Sequence, residues 1–497
     1  MLKKGLSFFL CIAYFVAVKG EDEILSALSA FNNQLTLLNA QIVRTEKEPA
    51  ESAMAEKAAH LANIKADLMR KLAALTAEVA RAEQAARESS EHQLEEPEKK
   101  TIESCVSIFA QVQKVLGERY RGMEWVDKLM PRSDLGKNEF QYFVQKITVP
   151  RGATIYDFGD IHGDSREGEI ETFFALIKRL QDKKEPILND ALKIIAKNTF
   201  LVFTGDYVDR GQKGMKVWDY LSKLLRQNPQ KVFLLRGNHE DMYTNETDPT
   251  YGFTKEFTFN LEVSSEVKKK IAEVYNLLPS ALICGIEGRP HDGFVLFCHA
   301  CIELGYDPQE ILKSNSSDAG QVITVINRKT ALNDFPKAVR ESVHGSCKPY
   351  LVDATEEQAF PKGQLLDADF LWGRLYRSRD EDETTCSLGG RQFGQLLLNA
   401  LVEKWKKYGL KAVVRGHDHA LGIDAKFGPE QQRVGVDWWM CNEIPFYTVI
   451  TSPAPVMPEW MGLPYKAACL RCQVRDGFAF DAYGLDTNGK PYAAVYS

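Results

Sequence analysis

The 497-residue chain is 44% hydrophobic and 26% charged, ordinary globular composition with length for one large domain and an accessory region. Its net charge of -6 offers no basic footprint, which excludes an electrostatic case for a nucleic-acid partner.

At the start of the chain, Lys3 and Lys4 precede an apolar run from Leu6 to Val18, followed by Lys19, Gly20 and the acidic Glu21, Asp22 and Glu23. That is the layout of a secretory signal peptide over 1–20. The run falls short of the roughly 20 residues a helix needs to span a bilayer. Export is therefore expected, with an uncleaved N-terminal anchor as the alternative and no stable membrane span after cleavage. Residues 21–98 read as an antiparallel helical hairpin. No glycine occurs between Gly20 and Gly117, and Leu25, Leu28, Phe31, Leu35, Leu38 and Ile42 step by three and four, as do Leu61, Ile64, Leu68, Leu72, Leu75 and Val79. Pro49 supplies the turn. The hairpin is read either as an arm for a partner or for self-association, a coiled-coil-like element, or as a spacer. A charged linker with Pro97 runs from Glu91 to Lys100, and a lead-in segment over 99–150 is expected before the main domain.

From 153 the pattern changes to short apolar runs that end in Gly, Asp, Asn, His or Arg. Ala153–Phe158 precedes Gly159-Asp160-Ile161-His162-Gly163, and Thr199–Thr204 precedes Gly205-Asp206-Tyr207-Val208-Asp209-Arg210-Gly211. Lys231–Leu235 leads into Arg236-Gly237-Asn238-His239-Glu240, Phe294–Cys298 into His299, and Lys411–Val414 into Arg415-Gly416-His417-Asp418-His419. Loops at the carboxyl ends of strands are where α/β sheets collect ligands. Five such junctions carrying carboxylate, imidazole or carboxamide make a metal cluster the economical reading. Oxygen and imidazole donors without thiolate suit Mn, Fe or Zn at a hydrolytic site.

In this order the blocks GDxHG, GDxVDRG, LRGNHE, a strand-borne histidine and RGHxH resemble the phosphoprotein phosphatase (PPP) family, within the calcineurin-like metallophosphoesterase superfamily. The resemblance covers roughly 150–455. It implies an α/β fold, a metallophosphoesterase β-sandwich flanked by helices, with a catalytic domain at 151–475 and a C-terminal tail at 476–497. It further implies two divalent metal ions, the first held by Asp160 and His162, Asp206 bridging, and the second completed by Asn238, His299 and His417. His419 is left open between ligand and neighbour. The expected reaction is hydrolysis of phosphoserine and phosphothreonine on a phosphoprotein substrate by direct attack of a metal-bound hydroxide. His239 would protonate the leaving oxygen, Asp209 would orient it, and Arg210 would grip the phosphate. Arg391 is expected as the second phosphate-binding arginine, with Arg374 competing.

Two departures bear on substrate. The usual His-Gly-Gly is His299-Ala300-Cys301, and Thr451-Ser452-Pro453-Ala454-Pro455 lacks the asparagine and tyrosine that normally follow such a loop. Phosphotyrosine therefore stays open, as do a diadenosine tetraphosphate-type hydrolase and an inactive scaffold using the helical arm. Among ten cysteines, Cys469 and Cys472 form a lone CxxC, read as buried thiols or a local disulfide. Asn245-Glu-Thr and Asn315-Ser-Ser read as glycosylation sequons in a eukaryotic chain.

Overall fold

The computed structural model describes residues 96–130, 142–163, 180–182, 185–248, 252–257, 261–289, 292–323, 328–345, 369–375, 383–387, 390–417, 436–451, 468–485 and 491–495, with Phe174, Ile177, Lys178 and Cys347. The chain divides into two units, Met1–Gln93 and Leu94–Ser497. The signal-like segment and the expected hairpin up to residue 95 lie outside the described residues, so the second unit is the one described below.

It begins with helix α1 (Glu96–Arg121). Cys105, Phe109, Val112, Leu116 and Tyr120 recur at steps of three and four and are all buried, so one stripe of the helix faces the core. Pro97 falls at the start of the helix, where a backbone N–H would have no acceptor anyway. Residues 96–100 of the expected linker are thus the opening of a helix. In the last turn, the buried Arg119 donates to the carbonyl of Val232 at 2.7 Å and lies 5.0 Å from the Phe233 ring, fastening α1 to the sheet behind it.

In chain order there follow β1 (Glu124–Trp125), β2 (Tyr142–Val149), β3 (Thr154–Phe158), β4 (Thr199–Phe203), α2 (Gly214–Gln227), β5 (Val232–Leu234), α3 (Met242–Thr247) and α4 (Leu261–Tyr275). Then come β6 (Ala281–Ile286), β7 (Phe294–Cys298), β8 (Asp318–Ile323), α5 (Lys337–Glu341), α6 (Asp369–Trp372), β9 (Arg374–Leu375), β10 (Thr385–Ser387) and β11 (Gly390–Phe393). The last elements are α7 (Gln395–Lys407), β12 (Leu410–Arg415), β13 (Val436–Cys441), β14 (Ile444–Val449), β15 (Ala468–Val474), β16 (Phe478–Leu485) and β17 (Pro491–Val495).

Two mixed sheets pack face to face. One has eight strands in the order β1-β8-β2-β6-β7-β12-β14-β13, the other six in the order β17-β16-β15-β3-β4-β5. Strand alternation divides the apolar residues between two faces. Ile155 of β3 and Val202 of β4 meet Val295 and Phe297 of β7 and Val414 of β12 between the sheets. Their neighbours Tyr156, Phe158, Leu201 and Phe203 turn outward onto α1, α2 and α4. Leu296 and Val413 turn to the opposite outer layer, where Leu397, Leu401 and Trp405 of α7 cover them. The result is the expected sandwich of two sheets between helical layers. Two boundaries change. The lead-in expected over 99–150 supplies α1 and the interior strand β2, and the tail expected over 476–497 supplies β16 and β17. Among the described residues no helix is long and apolar enough to cross a membrane.

Candidate metal centre and acid pair

Parallel pairing of β3, β4 and β5 in one sheet, and of β7 with β12 in the other, brings five carboxyl ends to one edge of the sandwich. A bridge between Asp160 and Ile450 joins the two sheets there. Asp160, Asp206, Asp209 and His299 are wholly inaccessible to solvent, His162, Asn238, His239 and His417 are buried, and Arg210 is half-buried.

Tautomers are fixed by the backbone. The Nδ1–H of His299 donates to the Thr204 carbonyl at 3.0 Å, and that of His162 to the Val208 carbonyl at 2.7 Å, so each ring presents an Nε2 lone pair to the site. His299 Nε2 then lies 2.8 Å from Asn238 Oδ1, 3.2 Å from His417 Nδ1 and 3.3 Å from Asp206 Oδ1. His417 Nδ1 is itself 2.9 Å from Asn238 Oδ1. Acceptors this close in a buried space require a cation or a proton among them. Burial alone would depress the His299 pKa, but the Asp206 carboxylate overrides it and raises the ring to about 9.

Among the described residues, two triads have ligand atoms within 4.8 Å of one another: His162, Asp206 and His239, and Asp206, His299 and His417. Asp206 is common to both, as a bridging ligand must be. Its Oδ2 lies 3.7 Å from His162 Nε2 and 3.9 Å from His239 Nε2, with no hydrogen-bond donor of its own. Burial would raise the pKa of Asp206, yet the rings of His299 and His239 hold it well below the usual carboxylate range. Two imidazoles, a carboxamide oxygen and a carboxylate suit a divalent cation at the second triad. Asp160 stands beside that triad, accepting the His417 backbone N–H on Oδ1 at 2.9 Å, with the same oxygen 3.8 Å from His299 Nδ1. In the first triad the third place is taken by His239.

His239 belongs equally to a second arrangement. Its Nδ1–H donates to Asp209 Oδ2 at 2.7 Å, and Arg210 Nη2 lies 3.1 Å from its Nε2. Burial lowers its pKa, but Asp206 and Asp209 together raise it, favouring the protonated ring. Asp209 also accepts from the Phe253 backbone N–H at 2.6 Å and from Asn245 Nδ2 at 2.8 Å.

The loops are held in costly conformations. His162, Asp206, Asp209, Arg210 and His417 all have φ between 51° and 68°, the left-handed region where a residue other than glycine costs about 1–2 kcal/mol. Gly205 has a φ of 105°, and a Cβ there would collide with the backbone of Gly237. At Gly416 a Cβ would strike the Asp160 carboxylate.

Two residues of this assembly lacked a role in the sequence reading. Glu240, within the LRGNHE block, accepts from the backbone N–H groups of Asp206 at 2.7 Å, Gly237 at 2.8 Å and Tyr207 at 2.9 Å, stapling two ligand loops together. Burial, with Asp206 nearby, pushes its pKa up to about 7. Asn245 is fully buried. Its amide donates to Asp209 and to the His239 carbonyl at 2.7 Å and accepts the Tyr275 hydroxyl at 2.9 Å. The sequon reading of Asn245 is therefore wrong: its nitrogen is committed in the core. Asn315 is exposed.

Arg391 lies in β11, paired with Cys386 of β10, and Arg374 lies in β9, paired with Gln392. His419 lies outside the described residues. Cys469 and Cys472 are free, buried thiols on β15, and their spacing of three sends one to the outer core and the other between the sheets. They form neither a disulfide nor a metal pair.

The model of the calcineurin-like phosphoesterase family matches residues 153–421, more than half of the chain. Human serine/threonine-protein phosphatase with EF-hands 1 is 26% identical over 249 residues, covering 46% of this chain and 35% of that protein. Serine/threonine-protein phosphatase 7 of Arabidopsis thaliana is 35% identical over 132 residues, covering 26% of this chain and 27% of its own. The chain thus spans about a third or less of these relatives. Among solved structures, a Saccharomyces cerevisiae protein serine/threonine phosphatase with similarity to human phosphatase PP5 aligns with a TM-score of 0.42 at 16% identity, over 77% of this chain and 90% of that one. With the family model spanning all five strand ends that carry the candidate ligands, the chain belongs to the calcineurin-like phosphoesterase family.

Proposed function

We propose that this chain is a metal-dependent phosphoprotein phosphatase acting on phosphoserine and phosphothreonine. The observation that carries the reading is the crowding of His299, His417, Asn238 and Asp206 acceptors at 2.8–3.3 Å beside a 2.7 Å His239–Asp209 pair. Asp160, His162 and Asp206 would hold one divalent cation, and Asp206, Asn238, His299 and His417 the other, with Mn, Fe or Zn suited to the donors. Two such ions, when bound, supply Lewis acidity and a nucleophile at neutral pH.

This chain's residues do the rest. Asp209 fixes the His239 ring so that Nε2 faces the site, where a proton held on Nε2 is delivered to the departing serine or threonine oxygen. Arg210, beside that ring, offers a planar fork to the phosphate oxygens, and Arg391 is assigned the second grip. The curated relatives named above are serine/threonine-protein phosphatases, which supports a phosphoprotein as substrate.

Hydrolysis of phosphoserine, phosphothreonine and phosphotyrosine peptides and of diadenosine tetraphosphate, with added Mn²⁺ and His239→Ala as control, tests the proposal. Manganese-dependent release from the first two, lost in the variant, is expected. Preference for phosphotyrosine or the dinucleotide would transfer the site to those substrates. No release from any of them would leave a scaffold. We propose in addition that the chain is exported, with residues 21–98 serving as an arm for a partner or a second copy. Sequencing the N-terminus of protein recovered from a secreting host tests export, and retention in the membrane fraction would favour the anchor.

A further inference from the structure

We propose that Glu303, Asp369 and Arg328 form a buried brace that positions His299, and thereby sets how tightly the second cation is held. The inference rests on the reading of His299 as a metal ligand given above. His299 directly follows β7, and the run from His299 to Leu304 is buried without belonging to a helix or a strand. Backbone N–H and carbonyl groups in such a run need partners inside the protein. The Ala300 N–H donates to the Phe370 carbonyl at 2.6 Å and the Cys301 N–H to the Asp369 carbonyl at 2.9 Å, both on α6. Two acids then bind reciprocally across the same junction: the Leu304 N–H donates to Asp369 Oδ2 at 3.1 Å, and the Asp369 N–H donates to Glu303 Oε2 at 2.5 Å. On the other side, the His299 carbonyl accepts the Gly416 N–H at 2.9 Å and the Ala300 carbonyl accepts Arg415 Nε. The peptide that carries the ligand is therefore gripped between α6 and the end of β12.

Charge explains why the brace needs Arg328. Glu303 is wholly inaccessible to solvent and Asp369 nearly so, and carboxylates buried together are costly unless a cation joins them. Arg328, itself buried at the start of the short helix Arg328–Asn333, places Nε 3.0 Å from Glu303 Oε1 and 3.8 Å from Asp369 Oδ2. Its Nη2 lies 3.5 Å from Glu303 Oε2. Without the guanidinium the acids repel one another or take up a proton, and either response loosens their hold on the backbone N–H groups. The Thr204 carbonyl fixes the direction of the His299 ring, whereas the brace fixes where the ring starts. The consequence for the two cations is unequal. The brace meets the site through His299 and, by the Gly416 bond, through His417, whereas His162 follows β3 of the other sheet and is held by the Val208 carbonyl. Loosening the brace therefore falls on the cation assigned to His299 and His417 rather than on the one assigned to Asp160 and His162.

Binding of Mn²⁺ to the full-length protein, followed by equilibrium dialysis and electron paramagnetic resonance, tests this without turnover. The wild type should take up two ions and show the exchange-coupled spectrum of a bridged pair. In Arg328→Ala the weaker-held ion should lose roughly 10–100-fold in affinity while the other stays within about threefold, as for loss of a group that orients a ligand from behind. At a manganese concentration that saturates the wild type, the variant should then give the spectrum of isolated Mn²⁺. Arg328→Lys, which keeps a cation against the acids, should restore the coupled spectrum. Equal weakening of both ions would reduce Arg328 to a support of the fold, and unchanged binding of both would separate it from the site; either result overturns the proposal. Should Arg328→Ala misfold, Glu303→Gln, which keeps the side-chain shape and removes the charge that Arg328 meets, is read in the same way. Wild type that binds one ion or none overturns instead the metal reading on which the brace depends.

Discussion

Asn245 shows how a single side chain can be decided by its surroundings. The triplet Asn-Glu-Thr carries a surface signal, but the fold turns the carboxamide inward, where it joins Asp209, His239 and Tyr275. Asn245→Ala would leave Asp209 Oδ2 with His239 alone and strand the Tyr275 hydroxyl in the core. The His239 ring then loses part of its fixed orientation, and kcat should fall about 10–100-fold, a fraction of the full worth of a general acid. Steady-state kinetics check this, and an unchanged kcat would remove Asn245 from the positioning of the acid. The ligand types themselves were legible because each lies inside a short local block at a strand end. The roles of Asn245 and Glu240 were not, since both depend on which distant loop the fold brings within 3 Å.

At the level of elements, β2 was hidden for a specific reason. Tyr142–Val149 contains Gln145 and Lys146, both buried, which breaks the apolar run that marks an interior strand. The Gln145 amide nitrogen donates to Asp318 at 2.9 Å on the neighbouring strand and the Lys146 ammonium to the Ser314 carbonyl at 2.5 Å, partners that only the folded sheet supplies. A similar buried polar contact supports α6, where Arg328 Nε lies 3.0 Å from Glu303 and 3.8 Å from Asp369. Arg328→Ala leaves two buried carboxylates without that cation and should cost about 3–5 kcal/mol in chemical denaturation. A loss below about 1 kcal/mol would mean the acids find other partners. Helix α2 gives a pH dependence. Glu256 accepts the Gly214 and Met215 backbone N–H groups at 2.6 and 3.0 Å, and burial raises its pKa to about 7. A carboxyl whose pKa is higher in the folded state contributes stability that is complete below its unfolded pKa and is lost as pH rises through about 7. Between pH ~4.5 and ~7.5 the wild type should therefore lose on the order of 1–3 kcal/mol that Glu256→Gln does not lose. Parallel urea titrations of the two proteins at several pH values read the difference directly, and coincident profiles would dismiss it.

For the whole molecule, the two-sheet architecture followed from the succession of short strands and from the resemblance, whereas the domain limits did not, because helix α1 and strands β16 and β17 carry no ligand motif. The site lies where the sheets meet, so its cations belong to the stability of both. Stripping divalent ions with a chelator should lower the unfolding temperature by several degrees, and Mn²⁺ should restore it, as expected for ligands that bind only the native state. An unfolding temperature indifferent to chelation would place the stability of the sandwich elsewhere. The left-handed backbone at His162, Asp206, Asp209, Arg210 and His417, with Gly205 and Gly416 closed against neighbouring groups, also limits evolvability. No larger residue fits at those glycines without moving the Gly237 backbone or the Asp160 carboxylate, and any loosening of the fold releases the strain held at five positions together. A laboratory selection for altered specificity would therefore find its tolerated changes outside this rigid floor. Specificity would be rewritten around these loops while the reaction machinery is inherited unchanged.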